Sequence, residues 1–336
     1  FNLPFIWFYI SKYLNLVNET NFKFFVFLYI CIFIFCLLRI ASETKNNLGY
    51  FFVILISFSA TSVLALERGN TDMLIFSIIF AACIVKKFYA SFLLIILASI
   101  LKLFPIFSFI INFDSRKKIF FSIFGILIVF LTLFNNLKYF FFNTHSTFNT
   151  GLTFGIRPII LGFYKTIDRL EINFIENNDL YFYLIYSISI IFILFYFFYF
   201  VIKNKKIENI NFVEKRNRLF LAGSSIYCFS FIFFSSFDYR LIFLILTIPY
   251  LTSKITLIKK ISLLLIFLTS NSLIFYSFAH SQYDFIYIGL FNHFCKLFLF
   301  FLMLYELSKF FNFFLKNTFL LKNLSFFFFK KTNEIL

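Results

Sequence analysis

Charged residues are scarce in this sequence: only 14% of its 336 residues are Asp, Glu, Lys or Arg. A soluble globular protein carries about 25% charged and about 45–50% apolar residues, whereas 61% of this chain is apolar and its mean hydropathy is +0.91. So few charges cannot cover a surface that faces water. The composition therefore excludes a soluble globular protein and indicates a protein that is largely embedded in lipid.

The sequence signatures of several common chemistries are missing as well. The chain has no phosphate-binding P-loop, no HExxH metal motif and no GxSxG nucleophile motif. Its five cysteines all lie inside apolar runs without the CxxC spacing of a metal site, and its three histidines are scattered. We therefore expect no metal ion and no cofactor.

Acidic residues are half as frequent as basic ones, 15 against 31, which gives a net charge of +16. In a soluble protein such an excess would suggest binding to nucleic acid. Here the basic residues lie in short loops between apolar runs, where they set the orientation of a membrane protein. We predict contacts with membrane lipids and none with nucleic acid.

Apolar runs, with Phe supplying 64 residues, make up most of the chain. Their lengths approach the ~20 residues of a membrane-spanning helix, and they predict an all-α, polytopic transmembrane bundle of about 9–10 spans. We interpret 1–336 as a single integral-membrane domain, with a loop at 135–179 and a basic tail at 309–336.

The distribution of Lys and Arg predicts which loops face the cytoplasm. One set of loops and the tail carry 21 basic residues, and the loops of the other set carry eight. The basic-rich set is therefore predicted to be cytoplasmic, in a multi-pass protein of the bacterial inner membrane, with 135–179 on the extracytoplasmic side. The basic-rich set comprises 39–48, 86–87, 112–118, 203–218, 254–260 and the tail from 309.

Residues 88–111 are apolar except for Lys102, yet both flanks of this segment belong to the basic-rich set. A segment with both ends on one side cannot simply cross, so we predict a re-entrant segment that breaks near Pro105, where proline removes a helix hydrogen bond. The alternative is one long tilted helix, which would make one basic loop an exception.

Four polar groups lie close to the apolar runs: 67–72, Lys102, Asp238-Tyr239-Arg240 and the loop around Arg157. Charges at membrane depth are costly and are functional candidates by default. Each group also has a structural interpretation: a capped turn with an internal ion pair, a lysine that reaches the interface, an interfacial salt bridge and an ordinary loop. The predicted topology places three groups on one face, with Lys102 directed toward them, and their guanidinium groups suit a phosphate.

The motif Arg68-Gly69-Asn70-x-Asp72, followed by Lys102-Leu-Phe-Pro105, resembles the integral-membrane glycosyltransferases of the GT-C superfamily. The chain is most similar to glycosyltransferase family 87, the polyprenol-phosphate-mannose-dependent mannosyltransferase-like group. Members of that family carry an RG(Q/N) turn that opens a helix and a later K-(L/F)-x-P motif.

The resemblance implies transfer of a sugar from a polyprenyl-phosphate donor to a glycan or lipid acceptor on the extracytoplasmic face. It implies a catalytic Asp in a first outer loop, which we expect before Phe1, in a stretch that these residues lack. The alternative is a non-catalytic flippase or transporter of lipid-linked saccharides, with the same basic pocket. The predicted substrate-binding residues are Arg68, Asn70, Asp72, Lys102, Asp238 and Arg240.

The predicted topology can be tested with single cysteines introduced into a variant without the native ones. Cysteines placed in 203–218 and 254–260 should react only with reagents that reach the cytoplasm, because these loops are rich in Lys and Arg. Cysteines placed in 135–179 should react from outside. Protection of 135–179 from external reagents in intact cells would contradict the orientation.

Overall fold

A computed structural model describes residues 5–15, 18–142, 153–156, 158–160, 179–203, 214–233, 236–278 and 282–317. Most of this part is α-helical, as the composition predicts, and one pair of two-residue antiparallel strands was not predicted: β1, Thr153–Phe154, and β2, Ser236–Phe237. Two 3₁₀ helices accompany the α-helices: η1, Phe104–Asn112, and η2, Asp238–Thr247. The α-helices are α1 Phe5–Tyr13, α2 Glu19–Glu43, α3 Asn47–Ser57, α4 Ala60–Glu67, α5 Asp72–Ile84, α6 Phe88–Leu101, α7 Arg116–Phe142, α8 Asp179–Lys203, α9 Lys215–Phe233, α10 Ile248–Leu251, α11 Leu257–Ser270, α12 Ser272–Ser277 and α13 Gln282–Asn317.

Three helices in the described part are long and apolar enough to cross a membrane: Glu19–Glu43, Leu184–Val201 and Tyr287–Phe311. The pair α3 and α4, bent by 46°, makes a fourth if the two count as one span. These helices indicate a membrane protein. They are fewer than the predicted spans, because other apolar runs form shorter helices such as α5 and α6. A helix of about 14 residues is about 21 Å long at 1.5 Å per residue. This length is less than the ~30 Å thickness of the hydrocarbon core.

Residues 88–112 form a hairpin and not one long helix. α6 ends at Lys102, whose backbone is extended (φ −153°, ψ 143°), and η1 then begins with Pro105 in its first turn. The Ser91 hydroxyl donates to Asn112 Oδ1 at 3.4 Å, so the two ends of the segment lie side by side. The chain therefore reverses next to Lys102, which is the geometry that a re-entrant segment requires and which excludes the single tilted helix.

The described parts of several basic-rich loops meet at one end of the bundle, which we call the basic end. Lys215 pairs with Glu43 at 3.2 Å, and the Arg218 guanidinium donates to the Val85 carbonyl at 2.7 Å. The Asn46 side chain donates to the Thr252 carbonyl at 2.7 Å. These contacts bring parts of 39–48 and 203–218 together with the chain next to 86–87 and 254–260. The opposite end is where α5 begins and α6 ends.

Two helices continue into the segments that were predicted as an outer loop and a basic tail. Helix α7 continues past residue 135 and ends at Phe142. The tail predicted from Lys309 begins as helix: Lys309 pairs with Glu306 at 2.6 Å, Phe310 is buried, and α13 continues to Asn317. Residues 143–152, 157, 161–178 and 318–336 lie outside the described part.

Helix α9 packs unusually closely against η2 at Gly223. A Cβ atom on Gly223 would lie 2.6 Å from the Phe243 carbonyl oxygen and 3.0 Å from Leu246 Cβ. The neighbouring Ala222 and Ser224 are fully buried as well. Small residues at such a crossing let two backbones approach, which is how helices associate where water supplies no driving force between them.

We expect Gly223→Ala to destabilise the protein, because the obstructing atom belongs to the backbone of η2 and cannot rotate away. Overpacking of this kind costs about 1–3 kcal/mol. The matched control is Gly289→Ala, whose Cβ would meet, among the described residues, the Tyr276 hydroxyl at 3.2 Å, the end of a side chain that can move. Thermal unfolding in detergent measures both, and equal melting temperatures would contradict the close crossing.

Candidate functional site

Lys102 and Asp72 form an ion pair at the opposite end of the bundle. The Lys102 ammonium at the end of α6 lies 2.5 Å from Oδ1 of Asp72, the first residue of α5. The side chain of Lys102 is 14% exposed and that of Asp72 is fully buried. The lysine is therefore held inside the protein by a carboxylate thirty residues away, and the interpretation in which it reaches alone to the interface does not fit.

Arg240 and Asn70 complete this arrangement. Arg240 Nε lies 3.8 Å from Asp72 Oδ2, and its guanidinium carbon is 4.8 Å from the centre of the Phe104 ring. Asn70 Oδ1 accepts from the Asp72 backbone N–H at 2.9 Å and from the Lys102 ammonium at 3.5 Å. We call Asn70, Asp72, Lys102 and Arg240 the charge cluster; it unites four of the six predicted substrate-binding residues.

The charge cluster has an excess of positive charge. Two cations, Lys102 and Arg240, face one carboxylate, Asp72, which leaves a formal charge of +1. The two cationic side chains remain partly exposed, at 14% and 21%. A partly desolvated net charge attracts a counter-ion strongly, because the local dielectric is lower than that of water. The cluster is therefore suited to bind an anion.

The Arg68-Gly69-Asn70 turn places Asn70 in the cluster. The Asn70 N–H bonds to the Ala65 carbonyl and the Gly69 N–H to the Leu66 carbonyl, the hydrogen-bond pattern of a Schellman motif at the end of α4. Gly69 has φ +52°, a left-handed conformation that glycine adopts without strain. The turn is thus a true helix cap, although Arg68 forms no internal ion pair with the described residues. The turn also places Asn70 and Asp72 next to Lys102.

Gly69, in the middle of this turn, packs beside the interior part of α2. A Cβ atom on Gly69 would lie 3.1 Å from the Tyr29 hydroxyl, and Tyr29 is ten residues after Glu19, the first residue of α2. Ten residues of helix correspond to about 15 Å. The charge cluster is therefore recessed from the end of α2.

Arg68 and Asp238 occupy different surroundings from the charge cluster. The Arg68 side chain is exposed and makes no ion pair with the residues that the structure describes. Asp238 is buried and belongs to a second polar group, although Arg240 follows two residues later. The prediction that both residues bind substrate stays a prediction. Arg157, a further candidate cation, lies outside the described part.

The second polar group is a fully buried ion pair between Asp238 and Lys296. The Lys296 ammonium lies 2.7 and 2.8 Å from the two carboxylate oxygens of Asp238 and donates to the Thr153 carbonyl at 3.1 Å. Ser272 Oγ donates to the same carboxylate at 2.9 Å. Both charged side chains are 0% exposed. This pair is neutral and links η2, α12, α13 and β1.

Sequence reasoning missed Lys296. The residue stands alone in the apolar run Phe294-Cys295-Lys296-Leu297, where no neighbouring polar residue marks it as part of a site. A lone cation in such a run requires an anionic partner. This requirement alone predicts that Lys296 pairs with a carboxylate from another segment. Among the described residues there is no group of three or more His, Cys, Asp and Glu that could hold a metal ion.

No protein-family model, no curated protein and no solved structure matches this chain. The resemblance to glycosyltransferase family 87 therefore stays a prediction that rests on the Arg68-Gly69-Asn70 and Lys102-to-Pro105 motifs.

We expect Lys296→Met to destabilise the protein strongly, because it leaves the Asp238 carboxylate buried without its cation. Removing one partner of a buried pair costs about 3–5 kcal/mol. The double variant Lys296→Met, Asp238→Asn should be more stable than Lys296→Met, since neither charge then remains. Thermal unfolding in detergent measures the series.

The control for this series is Lys23→Met, which makes the same substitution in an exposed pair. Lys23 and Glu19 are 2.6 Å apart with side chains 71% and 79% exposed, so the loss should change stability little. A double variant no more stable than Lys296→Met would show that the buried pair is not the source of the effect.

Proposed function

We propose that this chain is a multi-pass membrane glycosyltransferase of the GT-C type, and that the charge cluster binds the phosphate of a polyprenyl-phosphate sugar. The sugar would pass to a glycan or lipid acceptor on the extracytoplasmic face of the bacterial inner membrane. The observation that carries it is the convergence of Asn70, Asp72, Lys102 and Arg240 from three separate segments into one recessed group with a net positive charge.

Phosphate is the anion that this geometry favours. A guanidinium presents a planar fork of donors that matches two phosphate oxygens, and an ammonium adds a compact charge. Arg240 is positioned by the ring of Phe104 and Lys102 by the carboxylate of Asp72. Cations that are already in place need no reorganisation when charge develops on a leaving group. The lipid-facing surfaces of the apolar helices offer a prenyl chain an apolar surface outside the cluster.

The proposed reaction breaks the bond between the anomeric carbon and the donor phosphate oxygen. The acceptor hydroxyl oxygen forms the new bond to that carbon, its proton passes to a carboxylate base, and the phosphate leaves with the electron pair of the broken bond. Lys102 and Arg240 neutralise the charge that develops on the phosphate. We do not assign the base to Asp72, because its carboxylate is buried and holds Lys102 in place.

A second candidate function is transport of a lipid-linked saccharide without chemistry. It is favoured by the state of the two acidic residues among the predicted substrate-binding residues: Asp72 is paired with Lys102, and Asp238 is paired with Lys296. Neither carboxylate is available to accept a proton from an acceptor hydroxyl. The same cationic group would then hold the headgroup phosphate during translocation.

We expect Lys102→Met to weaken donor binding or turnover, because it removes one of two cations and keeps the apolar stem. Loss of one preorganised electrostatic contact costs about 2–4 kcal/mol of transition-state stabilisation. Lys102→Arg should retain part of the activity. The measurement is transfer from a synthetic polyprenyl-phosphate sugar by the protein in proteoliposomes, alongside translocation of the same donor.

The matched control is again Lys23→Met, which removes a lysine that also has a single carboxylate partner but is exposed. Loss of transfer in Lys102→Met with normal unfolding supports the enzyme, and translocation without any transfer by the unaltered protein supports the transporter. Unchanged donor kinetics in Lys102→Met would contradict the phosphate site in both functions.

A further inference from the structure

A pocket at the basic end has no part in the proposed function. It lies where the turn before α6, the end of η1, the start of α7 and the start of α9 meet. Phe88 and Ile111 form its apolar wall. Its polar wall consists of Lys86, Asn112, Asp114, Lys118 and Arg218.

Arg218 is the buried cation of this pocket. Glu214 is the only acidic residue within about six positions of Arg218 in the sequence. The Arg218 guanidinium donates to the Ala82 carbonyl at 2.9 Å and to the Val85 carbonyl at 2.7 Å. Only 8% of the residue is exposed. These bonds satisfy the carbonyl end of α5, yet Arg218 Nε has no hydrogen-bond partner among the described residues.

A hydrogen-bond relay orients Asn112 in the same wall. Ser91 Oγ accepts from Arg218 at 3.0 Å and therefore donates its own proton to Asn112 Oδ1 at 3.4 Å. The Asn112 amide nitrogen is thereby turned away from Ser91. Asn112 is 3% exposed, and its Nδ2 is buried without a hydrogen-bond partner in the described part. A buried donor without an acceptor is destabilising, so the site favours a ligand that accepts from it.

Charge in the pocket is strongly unbalanced. Three cations, Lys86, Lys118 and Arg218, face one carboxylate, Asp114, which leaves a formal charge of +2. Asp114 Oδ2 pairs with Lys118 at 2.6 Å, whereas its Oδ1 is buried and has no donor among the described residues. The pocket thus offers an anion several donors and offers one hydroxyl an acceptor.

We propose that this pocket binds a phosphate ester that carries a free hydroxyl group. The phosphate oxygens would accept from Arg218 Nε, Asn112 Nδ2 and the Lys86 ammonium, and the hydroxyl would donate to Asp114 Oδ1. A phosphoglycerol headgroup of a lipid and soluble glycerol phosphate share this chemistry. The pocket lies at the end of α5 away from Asp72, so its ligand is distinct from the donor proposed above.

Membrane orientation alone does not explain the pocket. Basic residues that set orientation need only lie in a loop near the membrane surface, as the exposed Lys87 does. Burial of Arg218 beside an oriented amide is a cost that orientation does not require. The combination of a buried guanidinium, a buried amide donor and an unpaired carboxylate oxygen fits a ligand with one anionic group and one hydroxyl.

The experiment measures binding to the full chain in nanodiscs of phosphatidylcholine. One arm replaces part of the lipid with phosphatidylglycerol and counts bound lipids by native mass spectrometry; the other adds glycerol phosphate and follows the melting temperature. Specific binding in the first arm identifies a lipid source and in the second a soluble source, and both support the site. Binding in neither arm overturns it.

Variants separate this pocket from the general positive charge of the basic end. Lys86→Met removes a pocket cation and should weaken binding about tenfold, the loss of one charge-assisted contact. The matched control, Lys87→Met, removes the adjacent exposed lysine, which does not line the pocket, and should leave the dissociation constant unchanged. Equal effects of these two substitutions would mean non-specific attraction and would overturn the proposal.

Asn112→Asp provides the second variant. It keeps the oxygen that accepts from Ser91 and replaces the amide donor with a negative charge beside Arg218. Folding should survive, because the new carboxylate gains a cationic neighbour, while phosphate binding should be lost. Binding by Asn112→Asp at the affinity of the unaltered protein would show that the amide does not face the ligand and would overturn the assignment.

Discussion

A charge inside an apolar bundle needs a partner, because leaving it uncompensated in a medium of low dielectric costs more than most single contacts supply. This constraint explains which segments of the chain meet. Lys102 meets Asp72, Lys296 meets Asp238, and Arg218 meets the carbonyl end of α5. Each contact joins segments that are far apart in sequence and fixes their register.

Short and broken helices make these meetings possible. A full-length spanning helix has its polar ends near the membrane surface, whereas α5 and α6 have only 13 and 14 residues, and η1 and η2 are 3₁₀ helices. Their ends therefore lie within the bundle, where polar groups are tolerated because they face protein and not lipid. The Schellman turn at Gly69 and the extended backbone at Lys102 are two such interior ends, and the charge cluster forms between them.

Much of this arrangement could be predicted from the sequence. The composition predicts an all-α membrane protein. The distribution of Lys and Arg predicts that 86–87 and 112–118 lie at the same end of the bundle. If both ends of a segment lie on one side, the segment between them must reverse, as 88–112 does. The Lys102–Asp72 contact could be named only as one through-space possibility, because no sequence pattern links residues thirty positions apart. Helices α7 and α13 continue past Asn136 and Lys309, because a single polar residue does not by itself end a helix.

The separation of Asp238 from Arg240 shows what pattern reasoning cannot reach. The two residues are separated only by Tyr239 and are both charged, but they begin a 3₁₀ helix, in which side chains two positions apart point in different directions. Asp238 therefore meets Lys296 in a neutral pair, and Arg240 joins Lys102 in a group with excess positive charge. In a neutral, fully buried pair the two charges compensate each other and hold segments of the fold together. A partly exposed group with unbalanced charge still attracts an anion. This difference in balance, and not the presence of charged residues as such, distinguishes a structural pair from a candidate binding site in this protein.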